Sequence, residues 1–308
     1  MEKEPVLIVI AGPTAIGKTA LSINLAEELQ TEILSADSRQ FYKETVIGTA
    51  APTMEERRGV KHHFIGHLSV SDYYNVSMYE QDALNKINQL FQDKQYVIIT
   101  GGSGLYIDAV CNGIDSLPDI DEKLRRDLKE RLGNEGLESL LNDLQKLDKQ
   151  YYEIVDKHNP NRVLRALEVC FQTGQTYTSL RTEKKKERNF RIVKICLTLP
   201  RDILNNRINL RTDEMMKNEF LEEAQSLFQY KDLNALNTVG YKELFDYLSG
   251  KCSLEVSIEK IKTNTRRYAK RQMTWFKKDS DYVFFEPNQY EDIMAYISNF
   301  NKMNTIDI

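Results

Sequence analysis

Residues 7–29, LIVIAGPTAIGKTALSINLAEEL, run from an apolar segment through a glycine-bearing loop into a helical pattern. Within them, Gly12 to Thr19 fit G-x-x-x-x-G-K-[ST], a loop that turns its backbone N–H groups toward a polyphosphate at a helix N-terminus. Strand, loop and helix stand in the order that this geometry needs. Gly12, Pro13, Thr14, Ala15, Ile16, Gly17, Lys18 and Thr19 are therefore expected to cradle an anion. Lys18 reaches the outer phosphates in such a loop, and Thr19 offers its hydroxyl to Mg²⁺.

Outward from this stretch, apolar runs bounded by turn residues predict buried parallel strands at 6–10, 32–36, 96–100, 192–199 and 282–286, with helical patterns between them. That alternation predicts an α/β fold: a P-loop parallel-sheet core. From about 118 the texture changes. DEKLRRDLKERL, GLESLLNDLQKL, KQYYEIVDKH and PNRVLRALEVCFQTG are helix-period segments with no strand among them, and predict an all-helical insertion domain. The expected division is 1–117 for the first part of the core, 118–190 for the insertion, and 191–308 for the second part, with a long basic helix over 253–278 and a terminal strand and helix.

A chain of 308 residues, 41% of them hydrophobic, can bury a full core. The four cysteines are scattered, without a C-x-x-C pair, which excludes a disulfide framework and a zinc ribbon. The apolar run before Gly12 is too short for a leader or a membrane span, so a cytoplasmic protein with no membrane partner is expected. The net charge of −4 hides an uneven distribution. Residues 260–278 hold eight Lys and Arg and no acid, with Tyr268, Trp275 and Phe276 interleaved, a pattern that suits nucleic acid. The basic cluster at 181–191 has acids mixed in and is expected to be a solvated face. His62, His63 and His67 are not expected to bind metal, because adjacent histidines do not easily share one ion.

A nucleotide hydrolase of this kind usually adds an Asp at the end of another apolar strand. Here the run YVIIT ends in Thr100 and continues Gly101-Gly102-Ser103-Gly104. The acid sits elsewhere: EILSADSRQFY puts Asp37 just past the second strand. Ligands of open parallel sheets lie outside the carboxyl ends of the strands, so Lys18, Asp37 and Ser103 are expected in one crevice as a catalytic cluster. Taken singly, Asp37-Ser38 also fits an ordinary turn, and Ser103 a helix cap.

GPTAIGKT, DSRQFY, TGGSGLY, HNPNRVLRALEV, Val239-Gly240-Tyr241 and RRYAKRQMTWF, in that order, resemble the bacterial tRNA dimethylallyltransferases, also called tRNA isopentenyltransferases. The resemblance spans roughly residues 6–287. It implies transfer of a dimethylallyl group from dimethylallyl diphosphate to N6 of the adenosine just 3′ of the anticodon (tRNA position 37), with Mg²⁺ as cofactor and diphosphate released. It implies that Asp37 is the general base, that Ser103 keeps the hydroxyl of a position usually occupied by Thr, and that Arg211 contacts the diphosphate. It further implies that Asp37, Ser38, Arg39, Gln40 and Ser103 meet the nucleotides of the anticodon loop, with Gln40 on an adenine edge. Arg126, the segment Asn161, Arg162, Val163, Leu164 and Arg165, and Gly240 and Tyr241 would meet the anticodon stem-loop, which the insertion would clamp. Arg266, Arg267, Lys270 and Arg271 are expected to contact RNA phosphates. A monomer is expected. Alternatives that share these residues are a small-molecule kinase using Arg207 and Arg211, a prenyltransferase for free adenine nucleotides, and a nucleotide-gated RNA-binding protein.

Overall fold

The computed structural model describes residues 4–115, 117–119, 121–182 and 185–302. Glu183 and Lys184 of the second basic cluster, Ser116 and Ile120 at the start of the insertion, and the tail 303–308 lie outside the described residues.

The run VLIVIA forms β1, Val6–Ala11, with every residue buried. A strand this uniformly apolar needs cover on both faces, which a parallel sheet with flanking helices provides. The other strands are β2, Ile33–Ser35; β3, His62–His63; β4, Tyr96–Gly101; β5, Arg191–Leu197; and β6, Tyr282–Phe285. They form one six-stranded sheet in the order β3-β2-β4-β1-β5-β6. All pairings are parallel, and Val6 stands opposite both Tyr96 and Arg191. Five strands coincide with the expected runs. β3 was not expected, because two histidines carry no apolar alternation; it forms where Ile33 and Leu34 pair with His62 and His63. His63 Nε2 lies 2.7 Å from the Glu32 carboxylate.

The core helices are α1, Lys18–Glu28; α2, Val76–Leu90; and α3, Gly104–Asn112. Four more, α4 (Glu122–Leu147), α5 (Lys149–Ile154), α6 (Pro160–Thr173) and α7 (Tyr177–Leu180), build the insertion. After β5 come α8, Arg201–Lys217; α9, Phe220–Ser226; α10, Tyr241–Leu248; α11, Leu254–Phe276; and α12, Tyr290–Lys302. Strand alternation sends Leu7, Val9, Val97 and Ile99 to one face and Ile8, Ile10, Ile98 and Ile195 to the other. Each such fully buried side chain is worth about 1.5–3 kcal/mol. Among the described residues no helix is long and apolar enough to cross a membrane.

The chain folds as two compact units, one comprising the residues up to Cys111 and from Arg188 onward, the other Asn112–Glu187. The helical unit begins at 112 rather than 118, because its entering and leaving strands of chain are tied together. Lys186 donates its N–H to the Asn112 carbonyl (2.8 Å), and Thr182 donates its backbone N–H to the Asp115 carboxylate (3.0 Å). Its own core contains Leu128, Leu140, Leu144, Tyr151, Val163, Leu164 and Leu167. α4 is broken at Gly136 (φ 80, ψ 172), the point where the two helix-period segments meet in the sequence. α6 is capped by Asn159, whose side chain accepts from the Arg162 N–H, and ends at left-handed Gly174. Val163 and Leu164 are buried on the inner stripe of α6, so their side chains have no surface to offer RNA; this corrects the expectation for those two residues.

Candidate active site

Three loops leave the carboxyl ends of β1, β2 and β4 side by side. The first, after β1, turns into α1 at Gly17, whose φ of 110 lies in a region that favours glycine. Ala15 in the same loop is held at φ 63, one of the few non-glycine residues on the left-handed side. Successive N–H groups in such turns converge on one point and suit an anion. Lys18 Nζ donates to the Pro13 carbonyl at 2.9 Å, folding the ammonium back against the loop.

The second and third loops are joined. Ala36 donates its N–H to the Thr100 carbonyl (2.7 Å), and Ser103 donates its N–H to the Ala36 carbonyl (3.2 Å). Ser103 Oγ accepts the Ser38 N–H at 3.0 Å and lies 3.1 Å from the Ser38 hydroxyl. Asp37 Oδ1 accepts the Arg39 N–H at 3.1 Å, a local turn that fixes the direction of the carboxylate.

Asp37 stands where two recesses meet. One, of about 250 Å³, is walled by loop residues Thr14 to Thr19 together with Ser35, Asp37, His62, Thr100 and Arg211. The other, of about 70 Å³, adds the apolar side chains of Ile208, Met215, Phe220, Val239 and Ile261, and the Tyr268 ring. Thr14, Ala15, Asp37 and Arg211 belong to both. Burial pulls the Lys18 pKa down to about 8, with nearby Arg211 pushing the same way and Asp37 opposing. Burial likewise holds Arg211 below the ordinary arginine range, with Asp37 and Glu56 opposing. Two poorly hydrated cations facing one carboxylate leave an excess positive charge, so an anion that enters the first recess relieves a cost already present. The Thr19 hydroxyl, with Ser35, Thr100 and Asp37 nearby, is an all-oxygen donor set that fits a hard cation carried with phosphate.

The other expected site residues divide by what they touch. Arg39 donates its guanidinium to the carbonyls of Asn234 (2.9 Å), Ala235 (3.1 Å) and Asn237 (3.4 Å). Gln40 Nε2 donates to the carbonyls of Thr49 and Ala50, each at 3.2 Å, and Arg211 also reaches Thr49 O at 3.4 Å. Tyr241 is fully buried and its hydroxyl donates to Glu223 at 2.5 Å, which corrects the expectation that its side chain meets RNA; Gly240 borders the second recess. Glu223 also accepts the N–H groups of Val46 (2.9 Å), Ile47 (2.8 Å) and Gly48 (2.8 Å). One carboxylate thus satisfies three backbone donors and a buried phenol. Glu223→Ala is expected to lower unfolding stability by about 3 kcal/mol, since several donors lose a charged partner at once. Urea denaturation of the full chain checks this, and a loss below 1 kcal/mol would contradict it.

Arg126 lies exposed on the helical unit, 71% open at the side chain, as are Asn161 and Arg162. Arg165 is half-buried and donates to the Pro118 carbonyl at 2.9 Å. On α11, Arg267, Lys270 and Arg271 are exposed, whereas Arg266 bonds Asn209 (2.6 Å) and Thr263 (2.9 Å). Beside them runs a groove of about 450 Å³ bordered by Arg201, Arg266, Arg267, Lys270 and Lys277. Removing one exposed cation, by Arg267→Ala or Lys270→Ala, is expected to weaken RNA binding and reduce the slope of log K against log salt by about 1. An unchanged slope would make this a solvated face.

Sequence reasoning missed His62 and Tyr268 as wall residues. The Tyr268 hydroxyl bonds Ser103, and burial first, then Asp37, pushes its pKa up to about 12, so it stays a protonated donor. In the sequence it stands out as an aromatic within the basic stretch 260–278 and the RRYAKRQMTWF segment, which marks it for RNA rather than for the wall of the recess.

The family described as IPP transferase matches residues 40–279. The chain belongs to the IPP transferase family. The matched segment starts just after Asp37, and the phosphate loop is covered by longer similarities. tRNA dimethylallyltransferase 1 of Bacteroides thetaiotaomicron is 50% identical over 305 residues, 98% of this chain and 99% of that one. tRNA dimethylallyltransferase 1 of Phocaeicola vulgatus is 52% identical over 295 residues, 96% and 98% of the two chains. Among solved structures, the full-length tRNA isopentenylpyrophosphate transferase of Bacillus halodurans is 34% identical with a TM-score of 0.72, covering 98% of each chain. A eukaryotic dimethylallyltransferase described as acting on tRNA superimposes with a TM-score of 0.78 at 27% identity, over 97% of this chain and 80% of that one. The likeness to these solved structures covers 97–98% of this chain.

Proposed function

We propose that the chain transfers a dimethylallyl group from dimethylallyl diphosphate to N6 of the adenosine just 3′ of the anticodon in tRNA (position 37), releasing diphosphate. The observation that carries this reading is the Asp37 carboxylate at the junction of an anion recess and one of mixed polar and apolar lining. The diphosphate sits on the N–H groups of residues 15–19, with Lys18 and Arg211 against its oxygens. These donors stabilise charge that grows as the allylic C–O bond breaks. The Thr19 hydroxyl would help to hold Mg²⁺, which would supply further neutralisation of that charge. Ile208, Met215, Phe220, Val239 and Ile261 suit the uncharged groups: the five-carbon chain and the purine.

The adenine amine is a weak nucleophile because its lone pair is delocalised into the ring. Asp37 takes the N6 proton as the N–C bond forms, so proton, electron pair and leaving group are all accounted for. Ser103, held by Ser38 and Tyr268, keeps the turn carrying Asp37 in place. The target base leaves its stack to reach this point, at a cost of a few kcal/mol. Arg39 and Gln40 exchange their carbonyl partners for nucleotide acceptors as the loop enters. The exposed cations of α11 and, on the helical unit, Arg126 and Arg162 contact phosphates. One chain carries every group named, so a monomer suffices, and its tRNA substrate makes it cytoplasmic.

The test is direct: purified protein, Mg²⁺, dimethylallyl diphosphate labelled in the prenyl group, and unmodified tRNA with adenosine at position 37. Label appearing on N6 of that adenosine is the expected result. Label transferred to free adenine nucleotides instead, or phosphoryl transfer from ATP without prenylation, would overturn it.

A further inference from the structure

Helix α11 carries Tyr268, Gln272 and Trp275 at i, i+4, i+7 spacing; Gln272 is buried, Tyr268 half-buried and Trp275 exposed. Gln272 is 5% exposed and spends its whole amide on two loops. Its Oε1 accepts the Thr14 N–H at 3.0 Å, and its Nε2 donates to the Gly102 carbonyl at 2.9 Å. The partners fix the amide's orientation, since a backbone N–H requires the oxygen and a carbonyl the nitrogen. The fit leaves no slack: a Cβ on Gly102 would come within 2.1 Å of Gln272 Nε2. Three residues on, Trp275 occupies the space of a Cβ on Gly104, at 2.3 Å, and donates its indole N–H to Asp108 at 2.8 Å. The same helix turns Arg267, Lys270 and Arg271 to solvent. Gln272 belongs to neither recess wall beside Asp37, so it is not placed to touch substrate.

We propose that Gln272 is a positioning residue that links the phosphate loop and the Ser103 turn to the RNA-facing helix, making diphosphate and RNA bind cooperatively. The inference rests on the functional reading above and adds a coupling that the reading does not require. RNA that docks on the cations of α11 fixes the helix. Through one side chain the helix then fixes the Thr14 peptide, and with it the direction in which the following N–H groups point. Because coupling is reciprocal, diphosphate tightens RNA by the same factor.

The experiment titrates inorganic pyrophosphate with Mg²⁺ into full-length protein by calorimetry, with and without an unmodified anticodon stem-loop RNA. Wild type is expected to bind pyrophosphate about tenfold more tightly with RNA present. Gln272→Met keeps the length of the side chain but loses both hydrogen bonds, and the RNA-induced gain is expected to fall below about twofold while RNA affinity without pyrophosphate is unchanged. Gln272→Glu keeps an acceptor for Thr14 and loses the donor to Gly102; it is expected to lose most of the gain and decides the matter if the Met variant does not fold. A role confined to stability would shift urea unfolding and leave the gain intact. Persistence of the tenfold gain in a folded variant overturns the inference. So does a wild type that transfers labelled dimethylallyl groups yet shows no gain, a result that leaves the functional reading standing.

Discussion

Asp37→Asn is expected to lower the rate of dimethylallyl transfer by about 10² to 10⁴ with little change in tRNA affinity, the range general-base assistance supplies. The asparagine oxygen can still accept the Arg39 N–H now held by Asp37 Oδ1, so the turn survives and only the capacity to take a proton is lost. Asp37→Ala removes the turn as well and should be at least as slow. Single-turnover rates at saturating substrate, measured beside tRNA binding, separate the two effects. A near-normal rate in Asp37→Asn would remove this residue as the base. A lost rate matched by lost binding would make Asp37 a docking residue only.

Lys18→Met should cost about 10² to 10³ in kcat/KM for dimethylallyl diphosphate, comparable to removing one donor from a preorganised anion site. Titration gives a sharper check. In the free protein burial lowers the Lys18 pKa to about 8 from 10.5, so the ammonium is half discharged at about pH 8, charged well below it and neutral well above it. A bound diphosphate favours the charged form and raises the pKa again. Pyrophosphate affinity should therefore hold below about pH 8 and weaken above it, with a proton taken up on binding between about pH 8 and 10. Pyrophosphate has its own titrations, so the comparison is with Lys18→Arg, whose guanidinium does not discharge in this window. Equal proton uptake by wild type and Lys18→Arg would contradict the assignment.

How much of this was legible in the sequence depends on how each residue earns its position. Fully apolar strands announce themselves: VLIVIA and YVIITG could only be buried from both faces, and the loops after them were placed with them. The helix-period segments of the insertion are visible in the sequence, but its bounds, 112–187 rather than 118–190, depend on hydrogen bonds between its two ends that carry no periodic signal. A two-residue strand of histidines is not visible there, because its pairing comes from neighbours and carries no periodic signal. Strand ends point to Lys18, Asp37 and Ser103 in one crevice and the resemblance adds Arg211; Ser103 lines neither recess and instead bonds Ser38 behind Asp37. The burial of Tyr241, Val163 and Leu164 follows from neither: a motif marks residues that matter without saying whether they touch a ligand or hold the groups that do. Gln272 and Glu223 show the same gap, since a side chain that serves distant backbone N–H groups leaves no local pattern.

The central claim is that one cradle draws diphosphate away from an allylic carbon while the Asp37 carboxylate readies an RNA amine beside it. A crystal structure with an unreactive dimethylallyl diphosphate analogue and an anticodon stem-loop tests it most directly. The account predicts the diphosphate on the N–H groups of residues 15–19 and the extruded adenine with N6 within hydrogen-bonding distance of Asp37. A diphosphate seated away from that loop, or an adenine that never reaches Asp37, would contradict it.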